Sequence, residues 1–110
     1  MNAVLVKNAH VYAPENLGRN DILLVNDKIA ALAPNITLPA CLEPALMLDA
    51  EGRAAVPGFI DAHVHITGGG GEAGFHTQVP PLPLSVPLSG GVTTLGGLLG
   101  TDGVTRHVDN

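Results

Sequence analysis

The chain has 110 residues, 45% of them apolar and 14% charged, with a net charge of −5 at pH 7. This is the composition of a globular protein, at most one small domain or a piece of a larger one. Its five lysines and arginines form no basic patch, which excludes nucleic acid and anionic membrane as expected partners. The single cysteine excludes an internal disulfide, and no segment resembles a signal peptide or a membrane span, so we expect a cytoplasmic protein.

The N-terminal half predicts β-strands. Residues 3–13 are rich in β-branched side chains that partly alternate with polar ones, which indicates one or two strands. Residues 21–34 contain two apolar runs around Asn26-Asp27, a pattern typical of a hairpin. A further strand near residues 45–49, a turn at Glu51-Gly52 and another strand follow. These strands need a partner layer, because an isolated hairpin is only marginally stable.

The C-terminal half is rich in glycine and proline from residue 68 to residue 100. The run GGGG at residues 68–71 predicts a flexible loop. Residues 92–99 predict a buried strand, weakened by Gly96 and Gly97. A parallel crossover would place a helix between these segments, but Pro83 and Pro87 favour a broken, missing or polyproline-like helix there.

Two histidines one residue apart, His63 and His65, form the motif most suggestive of chemistry. In a strand both side chains point to the same face, about 6.6 Å apart, close enough to share a metal ion. An isolated pair of this kind is more often two half-buried polar residues. Here an apolar run that predicts a buried strand precedes the pair, and glycines mark the strand's C-terminal end. Because α/β barrels carry their functional groups at that end, the metal interpretation is favoured.

The stretch PGFIDAHVHI at residues 57–66 resembles the first barrel strand of the amidohydrolase superfamily. More narrowly, HVHITGGGGEAG and GVTTLGGLLGTDGVTRH resemble the isoaspartyl dipeptidase (β-aspartyl peptidase) family. The resemblance implies a mixed α/β fold. Residues 1–54 would be the N-terminal part of a small β-sandwich. Residues 55–110 would be the first strands of a truncated (β/α)8 TIM barrel of the metal-dependent hydrolases.

The resemblance also assigns site residues. His63 and His65 match two ligands of a zinc site that is binuclear in the full-length family. The residues that match substrate contacts are Gly70, Gly71, Glu72 and Thr101, with Glu72 facing the α-amino group of the substrate's aspartyl end. Glycines let backbone N–H groups approach a carboxylate closely, and a carboxylate is the natural partner of an ammonium group.

The activity implied is zinc-dependent hydrolysis of β-aspartyl dipeptides by a homo-oligomeric full-length enzyme. The family's bridging lysine, further histidines and catalytic aspartate would follow residue 110, since the only lysines, Lys7 and Lys28, lie in the N-terminal β segment. We therefore expect no catalytic residue in this fragment and no activity of the isolated chain. The alternatives are a fragment of a dihydroorotase-like or hydantoinase-like amidohydrolase, against which the four-glycine loop ending in Glu72 speaks, and a non-catalytic β-rich domain.

Other candidates have simpler interpretations. We expect His10, His76 and His107 to be ordinary polar residues, because none has metal-ligand spacing to the histidine pair. Cys41 is expected to be a small buried hydrophobe. Asp61 would either orient a ligand or make a structural hydrogen bond.

Overall fold

A computed structural model of the chain describes residues 2–100. The chain divides into two compact units between Pro57 and Gly58, whereas the sequence placed the domain boundary between residues 54 and 55. Thr101 and His107, to which the sequence analysis assigned roles, lie outside the described residues.

The first unit is a single mixed β-sheet of five strands. The strands are β1 (Ala3–Tyr12), β2 (Asn16–Val25), β3 (Lys28–Ala33), β4 (Leu46–Asp49) and β5 (Ala54–Ala55). Their order across the sheet is β3-β2-β1-β4, and β5 also pairs with β1. A 3₁₀ turn, Ala40–Leu42, lies between β3 and β4. Within the described part of this unit the strands make one layer, so the second layer of the predicted sandwich stays a prediction.

Turn chemistry explains where these strands begin and end. The predicted hairpin is confirmed: β2 and β3 pair antiparallel around Asn26-Asp27, and Asn26 adopts the left-handed φ of 54° that asparagine tolerates. The predicted turn at Glu51-Gly52 is also confirmed, with φ values of 55° and 80°. The strands on either side of it do not pair with each other, however, because β4 and β5 both run parallel to β1.

The core of the first unit lies on β1 and its neighbour β2. Its buried apolar side chains are Ala3, Leu5, Ala9, Val11 and Leu23. Four of these five belong to β1, which is the central strand that pairs with β2, β4 and β5. Burial of an aliphatic side chain contributes about 1.5–3 kcal/mol, so β1 is the strand on which this unit most depends.

The second unit contains a parallel strand–helix–strand crossover. Its elements are β6 (Phe59–Val64), β7 (Gly69–Gly70), a 3₁₀ turn (Phe75–Thr77), β8 (Gln78–Val79), α1 (Ser85–Ser89) and β9 (Val92–Gly97). Strands β6 and β9 pair in parallel, with α1 between them in the chain, and β7 pairs antiparallel with β8. A parallel β-α-β unit is the repeating element of the predicted barrel. No helix within residues 2–100 is long and apolar enough to cross a membrane.

The crossover helix is a single short turn, as the prolines predicted, and it is not polyproline-like. Pro87 lies inside α1, where it is buried. It is tolerated because it falls in the first turn, where a missing N–H breaks no intrahelical bond. The Pro83 carbonyl accepts a hydrogen bond from the Val86 N–H at 3.1 Å. Gly91, with φ of 77°, follows the helix and leads directly into β9.

The prediction that both barrel-type strands are buried is wrong for the described chain. On β6, Phe59 is 58% exposed and Ile60 is 72% exposed, and no residue of β9 is fully buried. The sheet that β6 and β9 form has two strands, which offer little surface to cover their own side chains. The apolar side chains of β6 and β9 are therefore suited to burial, but they do not bury one another.

Candidate metal and substrate site

The histidine pair lies at the C-terminal end of β6. His63 belongs to the strand, and His65 follows it directly after Val64. Their ring centroids are 5.4 Å apart, and the rings meet edge to face at 84°. Both side chains are exposed. The two exposed imidazole rings thus lie side by side, with centroids 5.4 Å apart, where strand geometry predicted about 6.6 Å along one face.

Each histidine is held by a hydrogen bond of its own. The His63 backbone N–H donates to Asp61 Oδ1 at 3.1 Å, so Asp61 makes the structural hydrogen bond that was one of its two predicted roles. His65 Nδ1 lies 3.4 Å from the Leu98 carbonyl oxygen. A carbonyl can only accept, so a hydrogen bond here is donated by Nδ1, and Nε2 is then the ring nitrogen that can bind a metal. Leu98 itself is held to the end of β6 by its N–H, which donates to the Val64 carbonyl at 2.8 Å.

The donor set suits zinc but does not complete a zinc site. Zinc accepts imidazole nitrogen readily and takes about three or four protein ligands. Among residues 2–100 there is no group of three or more histidine, cysteine, aspartate or glutamate side chains that could hold a metal ion. His63 and His65 therefore offer about half of a tetrahedral shell.

The four-glycine run is not the flexible loop that the sequence predicted. Gly69 pairs with Val79 and Gly70 with Gln78, which makes the run one arm of a short antiparallel hairpin. Gly70 and Gly71 have φ values of 77° and 98°, which only glycine adopts easily. A Cβ atom at Gly70 would lie 2.8 Å from the Thr77 carbonyl oxygen. Glycine is required here to let two backbone segments approach each other.

Glu72 stands at the tip of a tight turn in this hairpin. The turn is closed by the Gly74 N–H, which donates to the Gly71 carbonyl at 3.0 Å. The Gly74 carbonyl in turn accepts from the Thr77 N–H at 2.9 Å and from Thr77 Oγ1 at 2.8 Å. The Glu72 side chain is exposed. The structure therefore presents its carboxylate on an ordered, hydrogen-bonded turn rather than on a free loop.

The loop after β9 touches the glycine run. A Cβ atom placed on Gly100 would overlap the Gly68 carbonyl oxygen. A Cβ atom placed on Gly69 would lie 3.1 Å from the Gly100 Cα atom. Gly68, Gly69 and Gly100 are buried. This contact could not be predicted from the sequence, because glycines in two separate loops carry no information about which loops meet. The role predicted for Thr101 stays a prediction.

The other residues singled out from the sequence are His10, His76 and Cys41. His10 stacks on Tyr12 with ring centroids 5.0 Å apart, and its Nε2 lies 2.7 Å from Asn16 Oδ1. His76 is exposed within the 3₁₀ turn Phe75–Thr77. The expectation for Cys41 is wrong: it is exposed in a 3₁₀ turn rather than buried.

Among residues 2–100, the two carboxyl groups with perturbed pKa values, Asp21 and Asp49, lie in the first unit. Burial by itself raises the pKa of Asp21, but hydrogen bonds from the Ile36 and Asn8 backbone N–H groups and from Lys7 outweigh it and lower the pKa. The Asn8 side chain, which donates to both oxygens of Asp49 at 2.9 and 3.0 Å, is the main cause of the lowered pKa of Asp49. Both carboxylates are hydrogen-bonded to backbone N–H groups and to basic or amide side chains, which gives them a structural role.

Comparison with known proteins identifies a class of enzyme. The chain matches no protein-family model. It is similar to curated proteins and solved structures that are hydrolytic enzymes of the amidohydrolase superfamily, among them a dipeptidase, dihydroorotases and deaminases.

One structural relative is a β-aspartyl dipeptidase from the thermophilic, keratin-degrading Fervidobacterium islandicum AW-1. It is 39% identical with a TM-score of 0.79, and the match covers 97% of this chain and 29% of that one. The predicted resemblance to the isoaspartyl dipeptidases is thereby confirmed.

Two curated relatives are enzymes of the same superfamily with other activities. The dihydroorotase of Elusimicrobium minutum is 46% identical over 70 residues, which are 62% of this chain and 15% of that protein. The 5-methylthioadenosine/S-adenosylhomocysteine deaminase of Thermococcus kodakarensis is 38% identical over 65 residues, which are 57% of this chain and 14% of that protein. The chain thus spans a small part of each relative's length.

Proposed function

We propose that this chain supplies part of the metal site and part of the substrate pocket of a zinc-dependent isoaspartyl dipeptidase, which hydrolyses β-aspartyl dipeptides. The observation that carries the proposal is the order of elements after β6. The histidine pair lies at the C-terminal end of β6, and an ordered four-glycine hairpin with an exposed glutamate, Glu72, follows it. A dipeptidase relative that matches 97% of the chain has been crystallised in complex with a β-Asp-Leu dipeptide.

In this proposal His63 and His65 hold zinc through exposed ring nitrogens. The bond from His65 Nδ1 to the Leu98 carbonyl orients that ring and leaves Nε2 for the metal. Zinc, when bound, supplies Lewis-acid polarisation of a carbonyl and an activated water molecule. No catalytic acid or base is assigned to residues 2–100.

The glycine hairpin is proposed to receive the aspartyl end of the substrate. Backbone N–H groups at Gly70 and Gly71 can approach a carboxylate closely, since no side chain intervenes. The Glu72 carboxylate is the partner of the α-ammonium group. A hydrogen bond between two charged groups contributes about 1.5–3 kcal/mol. This contact therefore favours binding of a dipeptide with a free amino end over a cyclic amide that has no ammonium group.

The cellular location and the oligomeric state are proposed from the composition and from the family resemblance. A single cysteine and a modest negative charge support a cytoplasmic enzyme. Homo-oligomeric assembly is carried over from the resemblance to the full-length family.

A second candidate function is hydrolysis of a cyclic amide by a dihydroorotase. The observation that favours it is the match of 46% identity over 70 residues to the Elusimicrobium minutum enzyme. The histidine pair would serve either reaction. Glu72 discriminates between them, because a neutral ring amide offers it no ammonium group.

The proposal can be tested in a hybrid enzyme in which this chain replaces the matched segment of the Fervidobacterium dipeptidase. We expect the hybrid to hydrolyse β-Asp-Leu and the Glu72→Gln variant to lose about 10- to 100-fold in kcat/KM. The matched control is Glu43→Gln, an exposed glutamate of the first unit, which should leave kcat/KM unchanged. Equal turnover by the Glu72→Gln and Glu43→Gln hybrids would contradict the proposal.

A further inference from the structure

We infer that Thr77 is a positioning residue that fixes the turn bearing Glu72 and thereby sets the affinity for the substrate's amino end. This inference rests on the proposed function, since it gives Glu72 a substrate to bind. It adds a residue that neither the motif nor the resemblance assigned.

The first observation is a continuous chain of hydrogen bonds from Thr77 to the base of the turn. Thr77 ends the 3₁₀ turn Phe75–Thr77. Both its hydroxyl and its backbone N–H donate to the Gly74 carbonyl, at 2.8 Å and 2.9 Å. The Gly74 N–H then donates to the Gly71 carbonyl at 3.0 Å. Glu72 lies between the two glycines that these bonds hold.

The second observation is that the turn consists largely of glycines in left-handed conformations. Gly70, Gly71 and Gly74 all have positive φ, at 77°, 98° and 117°. Glycine ranges over more backbone conformations than any other residue, so the order of such a segment depends on strand pairing and on the hydrogen bonds that hold the turn. Among those hydrogen bonds the one from the Thr77 hydroxyl is a side-chain bond, which a single substitution can remove without altering the backbone.

The third observation is the close packing of Thr77 against the other arm of the hairpin. The Thr77 carbonyl oxygen faces Gly70, where a Cβ atom would lie only 2.8 Å away. Thr77 therefore contacts the hairpin on both sides of Glu72, by its carbonyl before the turn and by its hydroxyl after it.

A positioning role has consequences that a purely structural role lacks. Glu72 is proposed to bind the amino end and not the reacting amide, so loosening its turn should raise KM and leave kcat nearly unchanged. The effect should also require Glu72. If Glu72 no longer carries a charge, its position ceases to matter, and the effects of the two substitutions should not add.

The matched variants are Thr77→Val, which removes the hydroxyl and keeps the shape, and Thr77→Ser, which keeps the hydroxyl. In the hybrid enzyme we expect Thr77→Val to raise KM for β-Asp-Leu about two- to tenfold, as for loss of one hydrogen bond. Thr77→Ser should restore the KM. The control is Thr37→Val in the first unit, where the threonine is also exposed and no change is expected. Thr77→Val in the Glu72→Gln background should match Glu72→Gln alone.

An unchanged KM in Thr77→Val, equal impairment in Thr77→Ser, or full additivity with Glu72→Gln would each overturn the inference. Hydrogen exchange of the peptide covering residues 70–79 gives a readout that does not depend on turnover. It should be faster in Thr77→Val than in the parent hybrid or Thr77→Ser, and equal rates would also overturn the inference. A parent hybrid that acts on dihydroorotate and not on β-Asp-Leu would instead refute the proposed function.

Discussion

Replacing Asp21 by asparagine should destabilise the first unit. This residue is 2% exposed, and both of its carboxylate oxygens are used. Oδ1 accepts from the Asn8 N–H at 3.0 Å and Oδ2 from the Ile36 N–H at 3.0 Å. Oδ2 also lies 3.4 Å from Lys7 Nζ. One side chain thus ties β1, β2 and the segment after β3 together.

The size of the effect follows from these contacts. Asparagine keeps one acceptor oxygen, so one of the two backbone N–H groups would face an amide NH₂ group instead. A donor left unsatisfied in a buried position costs about 1–3 kcal/mol, and loss of the partly buried Lys7–Asp21 ion pair adds about 1 kcal/mol or less. We expect Asp21→Asn to lower the free energy of unfolding by about 1–4 kcal/mol.

The assay is urea unfolding followed by far-UV circular dichroism, with Asp27→Asn as the matched control. Asp27 is 82% exposed and lies 3.6 Å from the exposed Lys28 Nζ, so its substitution should cost less than about 0.5 kcal/mol. Burial raises the pKa of Asp21, but the hydrogen bonds from the Ile36 and Asn8 N–H groups and from Lys7 bring it on folding below the ordinary value of 3.8. Its charged form therefore stabilises the fold above that value, and this stability is lost as pH falls through the folded pKa.

The difference between wild type and Asp21→Asn should accordingly be largest near neutral pH and shrink below about pH 3.8. Either of two results would contradict this role of Asp21. One is an Asp21→Asn variant as stable as Asp27→Asn, and the other is a difference that persists undiminished in acid.

Further predictions concern the second unit and the isolated chain. The isolated chain should bind zinc weakly in calorimetry, with His63→Ala or His65→Ala abolishing the heat and His76→Ala leaving it unchanged; zinc retained through dialysis against a chelator would contradict a two-ligand site. Gly70→Ala should destabilise the hairpin by more than about 1 kcal/mol, because alanine would need a left-handed φ and would meet the Thr77 carbonyl, and hydrogen exchange slower than in wild type would disprove this. The isolated chain with added zinc should release no leucine from β-Asp-Leu, and measurable release would show that the chain contains catalytic groups not assigned here.

Local features of the structure were predictable where a few neighbouring residues decide the backbone. Asn26 and Asp27 between two apolar runs specify a hairpin by themselves, since their side chains favour the turn. The alternation of side chains along a strand likewise predicted that the His63 and His65 rings lie close together, as they do.

The features that sequence reasoning missed depend on distant partners. The glycines at residues 68–71 are permissive in isolation, and their order comes from pairing with Gln78 and Val79. The contact between Gly100 and Gly68 requires two loops to meet. The exposure of β6 depends on what covers it, and an apolar run cannot specify this. The parallel pairing of β4 with β1 also follows from the sheet as a whole rather than from either strand.

We propose that this chain forms part of a pocket for a β-aspartyl dipeptide, and two hybrid enzymes can decide this. In one, the chain replaces the matched segment of the Fervidobacterium dipeptidase, and in the other, that of the Elusimicrobium dihydroorotase. The measurement is kcat/KM of each hybrid, for β-Asp-Leu and for dihydroorotate respectively, relative to its parent enzyme. We predict that the dipeptidase hybrid retains activity and the dihydroorotase hybrid does not. An active dihydroorotase hybrid beside an inactive dipeptidase hybrid, both folded, would contradict the claim.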